Sequence, residues 1–226
     1  MNDDNIKVVI PARKNSSRFP LKHFEFIGKK QVYEYTFDFA LKNVRPKNIW
    51  VNTDDEKLIE IAKEKGMNFF KRPAELANDY IPTVDVLKHQ IKYFDEHNIE
   101  CKSIIILQLT NPFRPVNLLQ KALKIFRNSK NKSLATFSKL NHKVCKISDN
   151  KFSPINYKPG MRSQDMSSLY FENGLLYISS CESIMKSRII TDDVYPLIIS
   201  EPHAQVDIDY KEDLMFAEYI LKKIKI

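Results

Sequence analysis

Glycine is scarce in this chain, with four in 226 residues. Both glycine-rich phosphate loops, G-x-x-x-x-G-K-[ST] and G-x-G-x-x-G, are absent, and each needs closely spaced glycines to let backbone approach a phosphate chain. That argues against a kinase, a GTPase and a Rossmann dehydrogenase. Cysteine is scarce too: Cys101, Cys145 and Cys181 lie far apart and show no C-x-x-C or Cys/His ligand spacing. They read as reduced thiols, not as staples or a zinc site. His89, His97, His142 and His203 show no ligand spacing either. No apolar run approaches the length needed to span a bilayer. The polar, acidic opening at residues 1–5 lacks the basic-then-apolar layout of a signal peptide. An aromatic-laced RNA motif is also missing. A cytoplasmic protein with no membrane and no nucleic-acid partner is expected.

What is present reads as one α/β domain over residues 1–226. Hydrophobic residues make up 43% and charged residues 28% of the chain, ordinary values for a globular protein. Lys+Arg 36 against Asp+Glu 28 gives +8, which suits anionic ligands without distinguishing among them. Much of the surplus is solvating lysine, including Lys222, Lys223 and Lys225. Strands are expected at residues 6–11, 49–51, 67–70, 103–109, 133–137, 174–178 and 206–209. Helices are expected at 32–43, 56–65, 83–97, 115–126 and 212–223. Thr53 or Asp54 is placed to cap the second helix. This alternation implies βαβ units and a mostly parallel sheet, which binds ligands at the carboxyl ends of its strands. Residues 141–168 break the pattern: they are polar and carry Pro154, Pro159 and Gly160. They read as an excursion from the core, a strand pair making subunit contacts.

The chemistry starts after the first strand. Arg13, Lys14, Arg18 and Lys22 crowd one loop, and such charges repel unless an anion sits among them. Near the other end, Asp207 and Asp209 stand two apart, so on a strand both carboxylates face one side and can meet one ion. The loop sequence Ile10-Pro11-Ala12-Arg13-x-x-Ser16-x-Arg18-x-Pro20-x-Lys22 resembles the opening signature of the sugar cytidylyltransferases, the acylneuraminate type in particular. Five further blocks follow in that family's order: Thr53-Asp54-Asp55, Arg72-Pro73 to Thr83, Leu107 to Arg114, Gln164-Asp165 to Ile178, and Asp207-Ile208-Asp209 to Asp213. There are departures. Asn15 stands for a glycine, Ser17 for a lysine, His23 for an asparagine, and Ser167 where a proline is common. Asparagine tolerates left-handed backbone, so the turn at Asn15 is expected to survive.

The resemblance implies a three-layer, mostly parallel-sheet nucleotidyltransferase fold of Rossmann-like type, carrying a dimerisation excursion. It also implies that CTP reacts with the anomeric hydroxyl of a nine-carbon acidic sugar, giving the CMP-sugar and pyrophosphate, in a homodimer. Arg13 and Lys22 would grip the triphosphate with the backbone around Ala12, Asn15 and Ser16, and His23 stands at the position of the family's base or ribose contact. Arg72, Leu76 and Thr83 would read base and ribose. Gln108 would face the sugar, with Asn173, Gln164 and Arg162 as companions and Lys139 or Lys143 as weaker basic choices. Asp207 and Asp209 would hold Mg²⁺ (or Mn²⁺), a cation that takes one or two carboxylates and keeps several waters. Arg13, Lys22, Gln108, Asp207 and Asp209 are the expected catalytic set. Arg18 is as ready to pair with a carboxylate as with phosphate. Two alternatives stay open, a ketodeoxyoctonate cytidylyltransferase and a non-catalytic nucleotide-binding module. Sialic, legionaminic and pseudaminic acids are not separated by the sequence.

Overall fold

A computed structural model of the protein describes residues 4–224; residues 1–3 of the acidic opening and Lys225 of the basic tail lie outside them. The elements run β1 (Ile6–Ala12), β2 (Phe26–Ile27), β3 (Lys30–Gln31), α1 (Val32–Asn43), β4 (Ile49–Thr53), α2 (Glu56–Glu64), β5 (Asn68–Lys71), α3 (Thr83–Glu96) and β6 (Ser103–Ile106). They continue with α4 (Leu118–Asn128), β7 (Ser133–Leu140), β8 (Cys145–Ser148), β9 (Lys151–Pro154), β10 (Leu169–Ser180), α5 (Cys181–Met185), β11 (Tyr195–Ile198) and α6 (Asp213–Leu221).

Seven strands form one sheet in the order β11-β7-β10-β6-β1-β4-β5. β1 pairs in parallel with β4 and β6, and β4 pairs in parallel with β5. β10 runs antiparallel to both of its neighbours. The central strands are buried on both faces, and their alternation distributes side chains to two cores. Val8 and Ile10 of β1 pack with Phe37 and Ala40 of α1, Leu58 of α2 and Leu119 of α4. Val9 points the other way, with Trp50, Ile104 and Ile106, onto Leu87, Ile91 and Phe94 of α3. Helix, sheet and helix thus make three layers. A third cluster seats α6 through Ala217 and Ile220 against Ile27, Tyr35 and Phe113.

Several sequence expectations shift. The sixth strand stops at Ile106 instead of residue 109, because the following loop turns away to line a cleft. α4 starts at Leu118, three residues past Pro115. Helix α2 is capped by Asp55, whose carboxylate accepts from the Lys57 amide, and not by Thr53 or Asp54. Residues 206–209 are not a strand, yet they remain extended enough for Val206 and Ile208 to be buried while the aspartates turn outward. The left-handed residue of the first loop is Leu21 (φ 55), not Asn15. In the excursion β8 and β9 form the expected strand pair, turning through Asp149 and Asn150, both at positive φ.

Candidate active site

The loops leaving β1, β5 and β6 at their carboxyl ends converge on one cleft of about 450 Å³. Ala12, Arg13, Lys14, Ser16, Arg18, Lys22 and His23 supply one wall. Arg72 and Thr83 stand beside them, and Gln108, Thr110, Asp207 and Asp209 close the far side. The far side is tied down by backbone: the Ile208 amide donates to the Thr110 carbonyl (2.8 Å), and Asn111 Nδ2 donates to the Val206 carbonyl (3.3 Å). Those two bonds bring the last carboxylates of the chain against the loop after β6.

Charge in the cleft is arranged in pairs. Lys22 Nζ lies 2.8 Å from Asp209 Oδ1, and Arg18 Nη2 lies 2.9 Å from Asp209 Oδ2. Arg13 makes an ion pair with Asp79. Arg72 differs: its Nε donates to Asn52 Oδ1 (2.8 Å) and its Nη2 to the Asn52 carbonyl (3.0 Å). Burial lowers the Arg72 pKa to about 10, so it stays charged at neutral pH. The Asp207 carboxyl is raised above its ordinary value, first by the protein crowding it and then by Asp209, while a hydrogen bond from Thr110 and the charge of Lys22 pull it back. His23 is buried, with Nε2 3.2 Å from Asp55 Oδ2. Burial outweighs Asp55 and lowers its pKa, which keeps the ring neutral near pH 7. Ser16 Oγ is buried with no hydrogen-bond partner among the described residues, a polar atom waiting on the cleft wall.

The floor is held by a second buried arginine. Arg114 donates to the carbonyls of Leu175 and Gln108 (both 2.7 Å) and to Thr36 Oγ1 (2.9 Å). Burial lowers its pKa to about 9. Behind Gln108 lies Gly174 at φ +71, in the bulge of β10. A Cβ there would stand 2.5 Å from Asn111 Oδ1 and 2.8 Å from Gln108 Oε1, so only glycine fits.

A profile described as cytidylyltransferase matches residues 7–224. The chain belongs to the cytidylyltransferase family. It is 25% identical over 229 residues to an N-acylneuraminate cytidylyltransferase of Streptococcus agalactiae, covering 95% of this chain and 54% of that relative. The chain therefore spans about half the length of those relatives. It is 26% identical to a pseudaminic acid cytidylyltransferase of Campylobacter jejuni, covering 95% of each. A CMP-N,N'-diacetyllegionaminic acid synthase of Legionella pneumophila is 25% identical, covering 96% of each. Among solved structures, a CMP:2-keto-3-deoxy-manno-octonic acid synthetase complexed with CTP superposes with a TM-score of 0.67 at 17% identity, covering 96% of this chain and 98% of that one. A 4-diphosphocytidyl-2C-methyl-D-erythritol synthase of Anaerococcus prevotii gives 0.65 at 19%, covering 96% of each. At those identities the two structures establish the nucleotidyltransferase fold.

In this family member the cleft gathers most of the residues singled out in the sequence, but not all. Asn15 is exposed in a shallow neighbouring depression shared with Asp54 and Arg72. Leu76 ends a short 3-10 turn (Ala74–Leu76) and is not among the lining residues. Asn173 is buried behind the wall: its Nδ2 donates to Ser138 Oγ (2.9 Å) and its carbonyl accepts from Asn111 (3.0 Å), so it braces the β10 bulge. Arg162 is exposed and paired with Asp165 (2.8 Å). Gln164 lines a separate depression with Lys139, and Lys143 donates to the Met161 carbonyl (2.7 Å). Within one chain, then, the excursion's basic groups stand apart from the cleft. Asn78, Asp79, Ile81, Pro82 and Thr110 line the cleft without having been singled out. Asp79 and Pro82 lie inside the Arg72-to-Thr83 block, but an exposed polar loop carries no periodicity by which its direction can be read.

Proposed function

We propose that the protein transfers CMP from CTP to the anomeric hydroxyl of a nonulosonic acid. The sugar oxygen forms the new bond to the α-phosphorus, the bridge to the β-phosphate breaks, and pyrophosphate leaves while the hydroxyl gives up its proton. One observation carries the reading: the cations Arg13, Arg18, Lys22 and Arg72 share a cleft with the carboxylates Asp207 and Asp209, at the carboxyl ends of parallel strands. The names of the relatives support the substrate pair, since those of comparable length act on pseudaminic and diacetyllegionaminic acids. Dissociated cations are what a triphosphate needs, so Arg18 and Lys22 exchange Asp209 for phosphate oxygens as CTP enters. Each such charge-assisted bond is worth roughly 1.5–3 kcal/mol. Arg13 and the Ala12–Ser16 backbone grip the same chain, and His23, Arg72 and Thr83 address the nucleoside. Gln108 faces the sugar.

The donor set at Asp207 and Asp209 fits a hard divalent cation. It is all oxygen, and both carboxylates line the cleft that holds the cations of the β1 loop. No group of three or more His, Cys, Asp or Glu side chains suited to a metal occurs among the described residues, so an ion here would take its remaining ligands from substrate and water. Mg²⁺ or Mn²⁺ held there supplies charge neutralisation at the reacting phosphate. Residues 4–224 act as one catalytic unit in this reading, and the excursion serves a homodimer: Ile147, Phe152 and Ile155 expose 74%, 56% and 59% of their surface on the β8–β9 side. No helix among the described residues is long and apolar enough to cross a membrane, in keeping with the reaction of two water-soluble substrates.

Pyrophosphate release from CTP and Mg²⁺, offered sialic, legionaminic, pseudaminic and ketodeoxyoctonic acids in turn, tests the proposal. Release with one nine-carbon acid, competed by CMP but not by ATP or GTP, is the expected result. Release with ketodeoxyoctonate alone would transfer the assignment to that sugar, and release with none would remove the enzyme reading.

A further inference from the structure

Among the cations of the cleft, Arg72 is set apart by what holds it. Arg13, Arg18 and Lys22 each meet a carboxylate. Arg72, just past β5, hydrogen-bonds instead to an amide on the neighbouring strand β4: Asn52 offers both its side-chain and its main-chain oxygen, and the Asp54 carboxylate acts on Arg72 through its charge. Asn52 is itself fully buried, and its Nδ2 donates to Oε1 of Gln90 (2.8 Å), a fully buried residue in the middle of α3. The Arg72 amide donates to the Thr53 carbonyl (2.8 Å), which fixes the start of the side chain as well.

A guanidinium has five N–H donors, and this collar uses two of them. Three remain on a buried side chain in the cleft wall. A carboxylate in place of the Asn52 amide would satisfy the same geometry but would cancel the charge at its source. Neutral acceptors orient the fork without tying it into an ion pair of its own. Such preorganisation lets the group bind ligand oxygens without first breaking an ion pair. Gln90 Nε2 has no partner among the described residues, so the glutamine is kept by one bond only, the bond to Asn52.

We propose that Asn52 and Gln90 are positioning residues that hold Arg72 as a pre-aimed cation for the acceptor atoms of the nucleotide. The inference rests on the CTP reading above. It gives Arg72 a different duty from Lys22 and Arg18, which must be released before they bind.

The test is CTP titration by calorimetry together with steady-state kinetics on the full chain and two variants. Asn52→Asp keeps the shape and adds the charge; its new oxygen can be met by Gln90 after an amide flip, using the donor now idle. It should weaken CTP binding about tenfold or more, which is ~1.4 kcal/mol per decade. The KM for CTP should rise while the KM for the sugar stays within twofold. Gln90→Met, an apolar replacement of similar length, should raise the KM for CTP by about threefold with kcat nearly unchanged. Equal CTP affinity in Asn52→Asp and the unaltered protein, with both folded by circular dichroism, would overturn the inference alone. Absence of CTP binding by the unaltered protein would overturn the cytidylyltransferase reading and this inference with it.

Discussion

The two sides of the sheet are built to different ends. On the β6-β1-β4-β5 side all pairings are parallel, and the loops after β1, β5 and β6 open into the cleft. On the β10-β7-β11 side, β10 runs antiparallel to β7, its amino-terminal half extends outward, and the β8–β9 hairpin hangs beyond. The parallel side is buried on both faces by helices, so its strands are spent on packing and only its loops are free for chemistry. The antiparallel side leaves Ile147, Phe152 and Ile155 in solvent. A chain that exposes such side chains is prepared to cover them with something else. The join between the two sides is Arg114 and Gly174, one holding the Gln108 loop and the other making room for it.

The largest expected effect falls on the parallel side. Asp207→Ala should lower Mg²⁺-dependent pyrophosphate release by about a hundredfold or more, whereas the same change at exposed Asp149 in the hairpin should leave it unaltered. Near-normal turnover in Asp207→Ala would break the comparison. Next comes the join. Arg114→Met leaves the Leu175 and Gln108 carbonyls without their donor and should cost about 3 kcal/mol in a urea titration. Gly174→Ala forces a Cβ toward Asn111 Oδ1 at a left-handed φ and should cost about 2 kcal/mol.

A smaller effect concerns pH. Protein crowded around the Asp207 carboxyl holds it above its ordinary value although the residue is partly open to solvent, so over a narrow pH range the native state keeps a proton that the unfolded chain releases. Ionised Asp207 thus costs stability above that range. Asp207→Asn should raise the thermal midpoint near neutral pH, and the gain should vanish once the pH falls below the unfolded carboxylate's own titration. A midpoint that drops near neutrality would contradict the stated cause. The smallest effect on folding belongs to the hairpin. Ile147→Ser should change stability by no more than about 0.5 kcal/mol, yet shift a dimer toward monomer in light scattering. A dimer untouched by that change would move the proposed interface elsewhere.

The sequence disclosed these two sides unequally. Apolar alternation on β1, α1 and β4 is strong because those elements bury both faces or a broad stripe, and their limits fall within two residues of expectation. Edge strand β11 escaped notice because Tyr195-Pro196 interrupts the pattern, and proline is tolerated there only because the strand lies at the rim. Asp207 and Asp209 were expected to share a side on strand geometry; both line the cleft although residues 206–209 form no strand, with Val206 and Ile208 buried as their anchors. Asn173 shows the opposite failure. A polar residue before glycine suggests a ligand contact, but the β10 bulge needed its amide to satisfy Ser138 and Leu175. Nothing local distinguishes a buried brace from a ligand; only the partner strands do. The same holds for Asn52 and Gln90, which carry no motif signal and gain meaning from Arg72.

A crystal structure with CTP and Mg²⁺ bound tests the central claim most directly. The triphosphate is expected between the β1 loop and Asp207, with Lys22 and Arg18 moved from Asp209 onto phosphate oxygens and both aspartates facing the metal. A triphosphate bound elsewhere, or one that leaves the Lys22–Asp209 and Arg18–Asp209 pairs intact, would contradict it.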